Sequence, residues 1–468
     1  QGMRPSLTVT AAPSHQIRQM YRRWFGLSIV LLATFMDLID VTIVNVALPR
    51  IQRELSGSYA TGQWAVAGYS LAFAIVLVTG GRLGDIHGRR RIFMIGVAGF
   101  TVASIAAGAA VSPGMLIAAR IVQGAFGGVM VPQVMSVIAT QFPPGRDRTA
   151  ALSLYGVLMG AAQVSGPILG GLLTSAGGLG WRAIFLFNVP VGVLALVGAK
   201  RWVDESRSEH PLKLDLPGMV MIGLASLLFT YPLVQGREFG WPVWTIVLLL
   251  ASVPMLGCFV WYERYRAAPL VPMRLFASRS FAAGLLLMLV LFAGISSYFL
   301  ALTWALQFGL GWTPLHLALT ILAWPAGVAL TAQLTHRHGR RRGRLLVGAG
   351  TTIMSLGMAG LALTFATGGA HLTSGDLVPW MVGSGLGMGL TIPVLSDLVL
   401  GDVPAADAGA ASGVLNSVIQ IGGTVGVALA GVIFFSGPAG AGLTLAFSAA
   451  VFLLAALLSP LLPHRSAQ

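Results

Sequence analysis

The chain has 468 residues, of which 56% are hydrophobic and only 9% are charged, and its mean hydropathy is +0.81. Soluble domains carry about 25% charged residues, so this composition excludes a soluble fold and predicts an integral membrane protein in a lipid bilayer. The net charge of +14 does not indicate a nucleic-acid partner, because the Arg and Lys residues lie mostly in short connections between apolar segments.

Fourteen apolar segments are long enough to cross a bilayer core of about 30 Å as helices. They cover residues 24–48, 62–81, 92–111, 115–139, 150–174, 182–199, 217–235, 243–261, 281–306, 315–334, 345–366, 377–400, 409–434 and 440–460. The sequence therefore predicts an all-α protein with fourteen transmembrane helices. Residues 1–23 and 461–468 are expected to form an N-terminal and a C-terminal tail outside the membrane.

The first segment contains "FMDLIDVTIVNVALP" (35–49), in which Asp37 and Asp40 interrupt an apolar run. A charged carboxylate at the bilayer centre costs about 2.5–3.5 kcal/mol on insertion scales, so such residues usually serve a function. At positions i and i+3 the two side chains share one helix face and should not both ionise easily. A carboxyl group that gains and loses a proton suits a proton-coupled carrier, and its ionised form can attract a cation. The alternative is a purely structural role, in which one of them caps a broken helix or forms a hydrogen bond with a neighbouring polar group.

The connection after the second segment, "GRLGDIHGRRR" (81–91), has an echo after the tenth, "AQLTHRHGRRR" (332–342). Internal repeats of this kind are typical of secondary transporters built from two related halves. We therefore predict two pseudo-symmetric six-helix bundles, 24–199 and 263–460, separated by a linker (200–262) that adds two helices. This arrangement is abbreviated 6+2+6.

The fourth segment carries Arg120 and Gln123 within "ARIVQGAFGG" (119–128). Arg cannot shed its proton, so Arg120 is costly in a membrane unless it faces a cavity or pairs with an acid. Asp40 and Asp37 are both possible partners. Bracing of backbone carbonyl groups is the alternative role.

The fifth segment contains "AQVSGPILGG" (162–171), with Gly166, Pro167, Gly170 and Gly171. Small residues let helices approach closely, and proline sets a kink. These residues are expected to seal and bend the interface between the two halves.

The basic residues predict the orientation. If the apolar segments cross the membrane in turn, nearly all Arg and Lys residues lie on one side of it. The residues on the other side are Arg50, Arg53, Arg182 and Arg237, and Arg120 lies within the fourth segment. By the positive-inside rule the Arg-rich connections and both termini are cytoplasmic, in a multi-pass protein of the cell membrane.

These motifs resemble the major facilitator superfamily and, more narrowly, its fourteen-helix drug:proton antiporters. "LIDVTIVNVALP", "WRAIFLFNVPVG" (181–192) and "GAASGVLNSVIQIGG" (409–423) are similar to further signatures of that group. The chain departs from the pattern at Ile86, where an Arg commonly follows the aspartate, and at Ala162, where a Gly usually stands.

The resemblance implies alternating access, with proton coupling at Asp40, Asp37 and Arg120. Substrate would contact Asp37, Asp40, Gln123 and Trp324, the last through its aromatic face. Conformational gating would involve Gly81, Asp85, Gly88, Arg89, Gly166, Pro167, Gly170 and Gly171.

The sequence thus predicts a proton-coupled multidrug exporter of small hydrophobic, preferably cationic compounds, acting as a monomer. One alternative is an exporter of lipid or a neutral antibiotic with the same coupling, and another is a receptor-like or scaffold protein that does not transport. Neither lysine lies in a Walker sequence, and no HExxH or Cys/His cluster occurs, so no enzyme activity, cofactor or metal is expected.

Overall fold

A computed structural model describes residues 13–463, apart from 143–145, 176–177, 209–212, 237, 267–268, 402, 404–407 and 438. At 13–19, 149, 152–153, 156, 160, 163–164, 175, 332–342, 370 and 408–410 it describes the backbone but not the side chains. The described residues form helices and connections and no strand. Their α-helices are α1 (Pro13–Glu54), α2 (Tyr59–His87), α3 (Arg89–Gly108), α4 (Pro113–Gln141), α5 (Arg146–Ser175), α6 (Arg182–Leu186), α7 (Asn188–Trp202), α8 (Leu216–Gln235), α9 (Val243–Arg264), α10 (Arg279–Trp304), α11 (Pro314–Ile321), α12 (Ala323–Gly368), α13 (Ser374–Leu400), α14 (Ala408–Phe434) and α15 (Gly440–Leu458).

Within the described part of the chain, thirteen helical stretches are long and apolar enough to cross a membrane. The fifth predicted segment corresponds to α5, a helix of 30 residues that is not among the thirteen and contains several positions whose side chains lie outside the description. The sixth segment is divided between α6 and α7, and the tenth and eleventh fall in α11 and α12. The repeated motif at 332–342 falls within α12, and its side chains lie outside the described part of the structure. The chain is therefore an all-helical, multi-pass membrane protein.

The helices pack mainly within two sets, α1–α7 and α10–α15. Between the sets, α2 packs on α14 and α5 packs on α11. The hairpin of α8 and α9 joins the sets in sequence, and α8 packs against both α2 and α14. We call the end of the bundle that holds the turn between Glu54 and Tyr59 the α1–α2 end, and the end that holds Gly88 the α2–α3 end.

Gly124 is one of the glycines that let α2 and α4 pack closely. A Cβ atom at Gly124 would lie only 2.2 Å from the backbone oxygen of Tyr69, so a larger residue would push the two helices apart. Because of this close approach, the side chain of Arg120, one turn earlier on α4, can contact both α2 and α1.

Candidate functional site

Asp40 lies at the centre of a buried polar network inside the α1–α7 set, with no solvent exposure. Its Oδ2 forms an ion pair with Nη1 of Arg120. Its Oδ1 accepts hydrogen bonds from the side-chain amides of Gln123 and Asn188, each at 2.8 Å. A buried charge is tolerable only when its lone pairs are satisfied in this way.

Arg120 is held on several sides and is only 1% exposed. Its Nε donates to the backbone oxygen of Ala65 at 2.9 Å, and its Nη1 also donates to Oε1 of Gln123 at 2.6 Å. The guanidinium carbon lies 4.3 Å from the ring centroid of Tyr69, a cation–π distance. The sequence left both acids open as partners of Arg120, and in the structure its ion pair is with Asp40.

Asp37 has a different partner, although it is on the same helix face. The hydroxyl group of Tyr69 donates to Oδ1 of Asp37, which is 3% exposed. Tyr69 therefore links the two acids: its hydroxyl group donates to Asp37, and its ring lies against the guanidinium group that pairs with Asp40. A change of charge at one carboxyl group can be transmitted to the other through this side chain.

Two members of the network were not predicted from the sequence. The hydroxyl oxygen of Ser104 on α3 accepts hydrogen bonds from Gln123 at 2.8 Å and from Asn188 at 3.1 Å. Asn188 is the first residue of α7, and the sequence signal for it was its place in "WRAIFLFNVPVG". Ser104 gave no signal, because a serine in an apolar helix is common.

The four residues expected to contact substrate do not lie together. Asp37, Asp40 and Gln123 are buried in the α1–α7 set, and the polar atoms of Gln123 are engaged by the network. Trp324 lies in α12, where its indole nitrogen donates to the sulfur of Met388 and its ring stacks on Tyr298 at 4.7 Å. Its described partners are all in the α10–α15 set.

The predicted gating residues of the α2–α3 turn surround the start of α3. Asp85 accepts hydrogen bonds from Nε and Nη2 of Arg89 at 3.1 and 2.7 Å. The N-terminus of α3 is instead contacted by the carboxylate of Glu205, which accepts hydrogen bonds from the backbone N–H groups of the second and third residues of α3. Gly88 has φ +106°, and a Cβ there would lie 2.7 Å from the Glu205 carboxyl group. A Cβ at Gly81 would make only an ordinary van der Waals contact with α4.

The glycines of the α5 motif lie where α5 contacts two other helices. Gly166 and Gly170 pack against α1, and a Cβ at Gly171 would lie 2.9 Å from the Cα atom of Leu315 on α11. Pro167, between them, lies inside the helix. The motif thus sits at a contact between the α1–α7 and α10–α15 sets.

A cavity of about 900 Å³ opens at the α1–α2 end, a volume within the usual range of small-molecule sites. Its wall is formed by the ends of α10, α12 and α14 and the beginning of α15. The aromatic lining residues are Tyr59, Trp304, Phe308, Phe365, Phe434 and Phe435. The described lining residues include no charged side chain.

Comparison with known proteins places these features in a family. The sequence model of the Major Facilitator Superfamily matches residues 30–427. The chain is 43% identical over 421 residues to a probable actinorhodin transporter of Streptomyces coelicolor, covering 88% of this chain and 73% of that protein. It is 36% identical to a puromycin resistance protein of Streptomyces alboniger, covering 87% and 81%. It is also 36% identical to a cephamycin export protein of Amycolatopsis lactamdurans, covering 92% and 90%.

Solved structures support the fold. A crystal structure of the peptide transporter POT in complex with sulfate aligns with a TM-score of 0.69 over 94% of this chain and 96% of that one, at 14% identity. The fold, the motifs and the relatives agree: the chain belongs to the Major Facilitator Superfamily, as its motifs predicted, and is a transporter rather than an enzyme.

Proposed function

We propose that the protein is a drug efflux transporter that exports small hydrophobic compounds in exchange for protons, by alternating access. Support for export comes from the relatives, which are named as antibiotic transporters, resistance proteins and export proteins. Support for alternating access comes from the division into two helix sets, which contact each other mainly through α2 with α14 and α5 with α11.

The observation that carries proton coupling is the buried ion pair of Asp40 and Arg120. The pair lies within one helix set, so protonation of Asp40 would release Arg120 and rearrange Gln123 and Asn188 without exposing a charge to lipid. Asp37, through Tyr69, would respond to the same event. Asp40 is the primary proton carrier in this scheme, and Asp37 a second one.

The proposal includes fourteen transmembrane helices in the 6+2+6 arrangement, with α5 as the fourteenth. In it, residues 24–199 and 263–460 are the two halves, and α8 and α9 belong to the linker. The Arg-rich α2–α3 end faces the cytoplasm with both termini, in the cell membrane, and the protein acts as a monomer.

Two classes of substrate are compatible with this proposal, a cationic compound and a neutral hydrophobic one. A cationic compound would be attracted by an ionised Asp37 or Asp40. A neutral hydrophobic compound is favoured by the structure in one respect: both oxygens of Asp40 are occupied by protein groups, and the large cavity has no charged group in its described lining. In that case Asp40 couples protons without contacting substrate.

Uptake into inside-out vesicles tests the proposal. With an imposed pH gradient, ethidium and a neutral fluorescent aromatic antibiotic are supplied separately to wild type, Asp40→Asn and the control Asp204→Asn, which changes an exposed carboxylate. Gradient-dependent uptake of either compound by wild type and the control, but not by Asp40→Asn, is expected. If Asp40→Asn still binds a compound that it no longer transports, the acid does not contact substrate. If no compound in a broad panel moves with the gradient, the non-transporting alternative replaces the proposal.

A further inference from the structure

A second pair of acids lies outside the network of Asp40, at the α2–α3 end. Asp215 immediately precedes α8, and Glu263 is the penultimate residue of α9. Each is only 1% exposed. The pair joins the beginning and the end of the inserted hairpin.

One oxygen of each carboxyl group has a donor, and the other has none. Oδ1 of Asp215 accepts from the backbone N–H of Gly218 and from the hydroxyl group of Tyr262, both at 3.1 Å. Oε2 of Glu263 accepts from the backbone N–H of Val271 at 2.9 Å. Oδ2 of Asp215 and Oε1 of Glu263 are buried without a hydrogen-bond donor.

The two unpaired oxygens converge on the same place. A Cβ built on Gly218 would lie 2.5 Å from Oε1 of Glu263 and 2.9 Å from Oδ2 of Asp215. The two side chains are within hydrogen-bonding contact of each other. Two ionised carboxylates cannot face each other in a buried site without a donor, whereas one proton between them satisfies both oxygens.

We propose that Asp215 and Glu263 form a second proton-binding site, in which one shared proton fastens the α8–α9 hairpin at the α2–α3 end. The proton resides on Oε1 of Glu263 and is donated to Oδ2 of Asp215. When it leaves, two like charges remain in contact, and the junction loosens.

The surrounding charges are consistent with Asp215 as the acceptor. Burial acts to raise the pKa of Asp215, but hydrogen bonds from the Gly218 backbone and from Glu263 and Tyr262, with the nearby charge of Arg266, hold it below its usual value. The guanidinium group of Arg266 is 3.9 Å from Oδ1 of Asp215, on the side that already has donors.

Arg82 connects this site to the α2–α3 turn. From α2, its two terminal nitrogens donate to the backbone oxygens of Lys213 and Pro269, one in each connection that flanks the hairpin. Arg82 also interacts electrostatically with both acids. Loss of the shared proton would therefore disturb the anchoring of the turn that carries the predicted gating residues.

The test uses purified protein in detergent and needs no transport, so its failure is distinguishable from failure of the proposed export. The unfolding midpoint is measured from mildly acidic to mildly alkaline pH for wild type, Glu263→Gln and the control Asp204→Asn. In the unfolded chain both acids are ionised near neutral pH, so the folded state binds one more proton, and wild-type stability should fall as pH rises. Glu263→Gln keeps an N–H donor for Asp215 and should lose this part of the fall, while the control keeps it.

Infrared spectra of the wild-type protein cover the case in which Glu263→Gln folds poorly. They should show a protonated carboxyl band at neutral pH that weakens as the pH rises and persists in Asp40→Asn. Where Glu263→Gln folds, its spectrum should lack this band. Equal pH dependence of wild type and Glu263→Gln, or a uniform loss of stability at every pH, overturns the shared proton. Absence of a Glu263-dependent infrared band in folded protein overturns it as well.

Discussion

The ion pair of Arg120 and Asp40 can be broken from either side, with Arg120→Met or Asp40→Asn, or removed whole in the double variant. Each single variant leaves one buried group without its counterpart. In the double variant, Asn at position 40 keeps an oxygen that can accept from Gln123 and Asn188, and Met fills much of the volume of the lost side chain.

The structure allows the cost to be estimated. Both charged groups are at most 1% exposed, and removing one partner of such a pair costs about 3–5 kcal/mol. Loss of the hydrogen bond to Ala65 adds about 1 kcal/mol for Arg120→Met. Because the double variant leaves no uncompensated charge, its cost should be smaller than the sum of the single costs by about 2–3 kcal/mol.

The assay is denaturant unfolding of the purified proteins in mixed micelles, followed by tryptophan fluorescence, together with gradient-driven uptake in vesicles. We expect the double variant to regain stability but not proton-driven export. Additivity of the single costs to within about 0.5 kcal/mol would show that the two charges do not depend on each other. Normal gradient-driven export by the double variant would refute their role in coupling.

Three further predictions concern other parts of the chain. Tyr69→Phe removes the donor to Asp37, a hydrogen bond of about 1–3 kcal/mol, and should shift the pH at which export is half-maximal; an unchanged pH profile would contradict the link between Tyr69 and coupling. Gly171→Ala places a methyl group 2.9 Å from a backbone atom of α11 and should slow export while the protein stays folded, whereas Gly178→Ala, with nothing within 4 Å, should have no effect on transport rates. Glu205→Gln removes a charge from the N-terminus of α3 and should lower stability by about 0.3–1 kcal/mol, measured as a lower unfolding midpoint; an equal midpoint would mean that the carboxylate contributes nothing there.

Charged residues within apolar segments were predictive because their cost in a membrane demands a partner. This reasoning identified Asp40 and Arg120, and the structure pairs them. It did not identify Ser104, because an uncharged hydroxyl group has little cost in a helix and leaves no pattern. Glu205 was missed for a different reason: it lies far along the chain from α3, and only the folded bundle brings it to that helix N-terminus.

The division of the helices followed the same limits. Long apolar runs located α2, α3 and α4 well, because twenty apolar residues have few alternatives to spanning a bilayer. The break between α6 and α7, at Phe187, could not be read from hydropathy, since the residues on both sides are equally apolar. The expected substrate contacts remain a prediction, because an aromatic side chain such as Trp324 can belong to a helix core or to a cavity wall.

The contacts between the two helix sets have a consequence for the energy of the transport cycle. Gln63 of α2 donates to the backbone of α14 at 3.1 Å, Ser417 of α14 donates to the backbone of α2 at 3.0 Å, and Gln307 donates to the backbone of α1 at 2.8 Å. No ion pair between two described residues joins α1–α7 with α10–α15. Polar bonds between membrane helices average about 0.6 kcal/mol each, so breaking these three bonds costs only about 2 kcal/mol. The polar part of this seam therefore opposes a change in the relative tilt of the sets only weakly, and a proton or a compound that binds one tilt more tightly shifts the balance towards it.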